Sequence, residues 1–145
     1  MKNKKRLFII ILLTSFYCSK LLASDPLLES LKNLFGVAVE YLSVSYQRAY
    51  LDKTFCGQFS RGAKNKYQDS LNEISGTIRG DYLQMVTTSV QSITPNLKQE
   101  VDGLIGKEPS AISCGWAAGK LDREISESKN QWSIARINFL KLRDQ

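Results

Sequence analysis

The chain has 145 residues, with 20 Lys and Arg against 14 Asp and Glu, and it contains no histidine. The missing imidazole excludes Ser-His-Asp and Cys-His nucleophiles and every His-containing zinc site. A net charge of +6 would suit nucleic acid or an anionic membrane, but the way that charge is distributed argues against both.

Residues 1–23 read as an export address. Lys2, Lys4, Lys5 and Arg6 form a positive start, Leu7 to Leu13 are uninterruptedly apolar, and Leu21-Leu22-Ala23-Ser24 offers small residues for cleavage. A membrane anchor needs roughly 20 mostly apolar residues, and Ser19 and Lys20 interrupt this run too early. Lipidation at Cys18 requires a small residue before the cysteine, where Tyr17 follows Phe16. Five of the 20 basic residues and none of the 14 acids lie in this segment, which leaves 15 against 14 in the remainder. The basic character is therefore mainly that of the leader. The expected mature protein, residues 24–145, is one near-neutral domain with no nucleic-acid partner and no stable membrane insertion, periplasmic or secreted.

Asp25-Pro26 is a helix start, with Asp25 as N-cap and Pro26 at the first helical position. Leu27, Leu31, Leu34, Phe35, Ala38, Tyr41 and Leu42 recur at three- and four-residue steps and predict an amphipathic helix ending near Cys56-Gly57. From Val39 to Tyr46 the sequence also alternates as a strand would; continuity of the helical stripe decides for helix. Residues 57–65 are rich in Gly and polar groups and read as a loop. Tyr67, Leu71, Ile74 and Ile78 predict a second helix, weakened at its end by Gly76 and Gly80. Tyr82, Leu83, Val86, Val90 and Ile93 predict a third, cut off by Pro95. Thr94-Pro95 repeats the cap-and-proline start, so Leu97, Val101 and Leu104 are expected on a separate short helix ending at Gly106. After Pro109-Ser110 the longest run, Cys114, Ala118, Leu121, Ile125, Ser128, Trp132, Ala135 and Phe139, predicts the last helix. The fold class is all-α, a bundle of four to five helices.

With Cys18 removed, Cys56 and Cys114 remain, an even pair in an oxidising compartment and hence one structural bridge. Neither lies in a Cys-x-x-Cys context that would favour redox chemistry. The bridge would tie the end of the first helix to the start of the last, and paired cysteines leave no thiolate for a metal. No glycine spacing forms a phosphate-binding loop. No cofactor is expected.

Four features compete for a functional role. Asp69 with Glu73, and Glu124 with Glu127, each share a helical face as a general acid/base pair might, but both sit opposite apolar stripes among Lys, Asn and Ser, which favours solvated faces. Arg48, Lys53, Arg61, Lys64 and Lys66, interleaved with Phe55, Phe59 and Tyr67, give residues 48–66 a positive excess. The simpler reading is a solvated loop and the sharper one a contact for an acidic surface. Arg79-Gly80-Asp81 spells an integrin-type tripeptide; a helix-ending Gly80 followed by Asp81 as the next N-cap explains it without a partner. Gly115 and Gly119 bracket Trp116 and would admit a neighbouring helix beside the bridge, with Trp116 filling core, or else form a partner groove. Together these features predict a non-enzymatic exported protein that acts by binding another protein. It would be an inhibitor or immunity protein against an envelope-targeting toxin, or an accessory subunit of an envelope secretion, conjugation or pilus system. Arg61, Lys64, Lys66, Arg79, Gly80, Asp81 and Trp116 are the candidate contacts. A small carboxylate-dependent hydrolase and an adhesin are the remaining alternatives.

Overall fold

A computed structural model describes residues 25–59 and 65–145; the predicted leader, Arg61 and Lys64 lie outside them. The described chain forms four α-helices and no strand: α1 (Pro26–Leu51), continued by one π-helical turn (Asp52–Cys56), α2 (Lys66–Ser75), α3 (Asp81–Ile105) and α4 (Ala111–Arg143).

α1 begins as its sequence dictates. The Asp25 side chain accepts a hydrogen bond from the Leu27 amide, Pro26 occupies the first turn, and Glu29 there complements the positive helix end. Its last turn widens into the π-helical segment at Asp52–Cys56. Gly57 closes that segment, where an added Cβ would stand 2.9 Å from the Asp52 carbonyl oxygen, so the close backbone approach requires glycine.

The pairing of side chains fixes the topology. Tyr41 reaches Glu73 and Ser45 meets Ser70, so α2 runs antiparallel to α1. Gln47 donates to Glu100 and Tyr50 to Asp102, so α3 runs parallel to it. Arg48 reaches Asp122 and Cys56 bonds Cys114, so α4 returns antiparallel. The result is an up-down-up-down bundle in which α1 packs against every other helix. One core, built around Trp132 with Leu34, Leu42, Ile74, Val86 and Val90, fills the end away from the bridge. A second, smaller one surrounds the bridge with Leu51, Val101, Ile105, Ala117 and Leu121.

Two expectations are corrected here. Pro95 does not end a helix: α3 runs unbroken from Asp81 to Ile105 with Pro95 inside it. Proline removes the amide that would bond the Gln91 carbonyl, but Pro95 and Gln91 are both exposed, so water can take that acceptor. Thr94, expected to cap a new helix, instead donates its hydroxyl to the Val90 carbonyl within the same one. Asp81 is the first helical residue of α3 rather than its N-cap; Gly80, at φ +58°, holds the cap position. Val39 to Tyr46, where alternation competed with the helical stripe, is helical as expected.

Candidate functional site

The described surface offers three constellations. The first is a polar cluster at the edge of the bundle, running from the buried Tyr41 to the exposed Lys129. Tyr41 of α1 donates its hydroxyl to Glu73 of α2 at 3.1 Å, and Lys129 of α4 donates to the same carboxylate at 2.9 Å. Glu73 thus ties three helices together, which corrects its reading as part of a solvated acid pair. Burial raises the Tyr41 phenol above its ordinary value, and the charge of Glu73 adds to the shift. The hydrogen bond to Glu73 raises Lys129. Both shifts lead away from neutrality, so the phenol and the ammonium keep their protons at neutral pH and clamp Glu73 from two sides.

The second is an ionic cluster beside the bridge. Arg48, 7% exposed, pairs with Asp52 on its own helix and, at 3.1 Å, with Asp122 of α4. Arg48 therefore does not belong to an exposed positive stretch, because a guanidinium at that depth must be paired. The cluster holds the C-terminal end of α1 against α4 close to where the disulfide does.

The third is the outer face of α4. Ser110 caps the helix in a reciprocal capping box with Ser113, and Cys114 anchors its first turn to Cys56. On this anchored turn Ile112 is 86% exposed and Trp116 59% exposed. Trp116 thus does not fill core. It lies two residues from Cys114, on the side of the helix opposite the buried stripe. Gly115 and Gly119 do not admit a neighbouring helix either, since nothing lies within 4 Å of a Cβ placed on either one. They leave open ground beside the indole, whose ring lies 6.0 Å from the Lys120 ammonium. Farther along, Ile134 and Ile137 are each 52% exposed.

Of the other candidates, Lys66 opens α2 and is half-buried, while Arg79 and Gly80 are exposed in the turn between α2 and α3 and Asp81 is exposed at the start of α3. Because α2 leads away from the bridge, that turn and Trp116 belong to opposite ends of the bundle and do not form one site. Sequence reasoning missed Ile112, Ile134 and Ile137. The buried stripe carried the signal, because each lies off it and is apolar nonetheless. Among the described residues no cluster of His, Cys, Asp and Glu could hold a metal ion, and no helix is long and apolar enough to cross a membrane. Compared with family models, curated proteins and solved structures, the chain matches none.

Proposed function

We propose that this chain is an exported binding protein that docks a protein partner on the outer face of α4. The observation that carries the proposal is Ile112 with Trp116: two large apolar side chains held outward at a helix start fixed by a capping box and a disulfide. Tryptophan is the side chain most enriched among residues that dominate binding energy, and a rigid anchor loses little entropy on docking. A protruding, clasped helix end suits an inhibitor or immunity protein that plugs an envelope-targeting toxin. A subunit of an envelope machine is the second reading, favoured by the additional apolar pair Ile134 and Ile137, which gives one helix two docking ends. The proposal is for a non-enzymatic role, with Glu73 committed to the clamp.

The test is retention of a partner from an envelope extract by the oxidised protein and by its Trp116→Ala and Ile112→Ser variants. A stoichiometric partner held by the native protein and lost by both variants is expected. For the inhibitor role, the isolated partner should be an envelope-attacking enzyme that the native protein silences. Equal retention by all three would contradict the proposal. Unchanged behaviour of Glu124→Gln and Glu127→Gln in glycan-turnover assays is expected alongside.

A further inference from the structure

We infer that the outer face of α4 pairs with a second copy of this chain, the two helices lying antiparallel about a twofold axis near Glu124 and Ile125. This rests on the reading of that face as a docking surface and names one occupant for it. Ile112, Trp116, Ile134 and Ile137 are all exposed on α4. At about 100° per residue they fall within an arc of about 60°, although Trp116 and Ile134 are separated by about 27 Å of helix.

Their spacing is self-complementary. Ile112 precedes the Glu124–Ile125 midpoint by as many residues as Ile137 follows it, and Trp116 and Ile134 are equally spaced about Ile125. Antiparallel pairing therefore sets Trp116 against the second copy's Ile134 and Ile112 against its Ile137. Arg123, within that arc, and Glu127, about 20° beyond its edge, are both exposed and symmetric about Ile125. Each Arg123 then meets the second copy's Glu127, and the contact occurs twice. Lys120 comes opposite Asn130, so no like charges oppose each other along the seam. Gly119, with open space at its Cβ position, allows the axes to approach between Trp116 and Arg123.

The apolar side chains offer roughly 500 Å² per copy, hence about 1,000 Å² for the pair, the lower bound for a specific interface. An interface of that size belongs with the weak, transient ones, so a foreign partner that covers Trp116 competes with self-pairing.

Sedimentation equilibrium of the mature, oxidised protein from about 5 to 500 μM tests this, because that range spans weak, micromolar association. The native protein should pass from monomer to dimer. Arg123→Glu alone and Glu127→Arg alone each set like charges together twice and should weaken association at least about tenfold. An equimolar mixture of the two single variants should form a mixed dimer, and the double variant should pair as the native protein does. Weakening by each single variant together with native-like pairing of the double variant is what this register requires. A monomer at every concentration, or a mixture no more associated than the single variants, would overturn the inference. If the protein stays monomeric while Trp116→Ala loses a foreign partner, self-pairing falls and the docking face stands. If it dimerises as described while foreign capture ignores Trp116, the proposed function falls and self-pairing stands.

Discussion

Removing the bridge with Cys56→Ala and Cys114→Ala together is the perturbation whose size follows most directly from the structure. The cysteines are 58 residues apart in sequence, and closing a loop of that length removes about 4 kcal/mol of unfolded-chain entropy. Both cysteines are buried, in the smaller core with Leu51, Val101, Ile105, Ala117 and Leu121, so the variant also loosens packing there. Against a typical net stability of about 5–15 kcal/mol this is a large share. For a domain of this size 4 kcal/mol corresponds to a fall in Tm of about 12–20 °C. Thermal unfolding followed by circular dichroism, with the oxidised native protein beside the double variant, measures it. A change below about 4 °C would refute the view that the clasp is a main source of stability.

Three further outcomes are expected. Trp132→Ala should cost about 3–5 kcal/mol in urea unfolding, because Trp132 is wholly buried, whereas Trp116→Ala should stay within about 0.5 kcal/mol. Comparable losses at the two positions would remove Trp116 from the surface. Pro95→Ala should stabilise by about 1–2 kcal/mol, since α3 is continuous at Pro95 and alanine restores the amide facing the Gln91 carbonyl; a loss of stability would mean that the proline shape is needed. Tyr41 and Lys129 both hold their protons more firmly when folded than when unfolded. Their contribution is therefore complete below the ordinary tyrosine and lysine values and is lost as pH rises through the higher folded ones. Urea midpoints should fall above about pH 10, less steeply in Tyr41→Phe, and an identical slope in that variant would contradict the clamp.

Helix existence was legible because the apolar residues of α1, α2 and α4 keep a clear three-four period and the starts at Asp25-Pro26 and Ser110 carry their caps. The bridge was legible from cysteine parity. Pro95 misled because its local preference for a helix start is genuine, yet packing of Val86, Val90, Leu97 and Val101 along one face outweighs the single missing hydrogen bond. Arg48 and Glu73 misled for the opposite reason. Asp122 and Lys129 lie far away in sequence, and the local Arg48–Asp52 pair looks no different from a solvated i,i+4 pair. No local pattern therefore distinguishes a charge that will be buried from one that will be exposed. Trp116 is legible only in part. Its apolar character allows core filling or a partner groove, and its helical phase, off the buried stripe and shared with Ile112, is what places it on the surface.

A photo-crosslinking side chain at position 116, introduced in the native host with Thr88 as an exposed control on α3, addresses the outer face of α4 directly. Irradiation should give a discrete adduct from position 116, either a doubled chain or a defined partner, and none from position 88. A monomer left unmodified at position 116, or equal smears from both positions, would contradict the assignment of that face as the place where this protein binds.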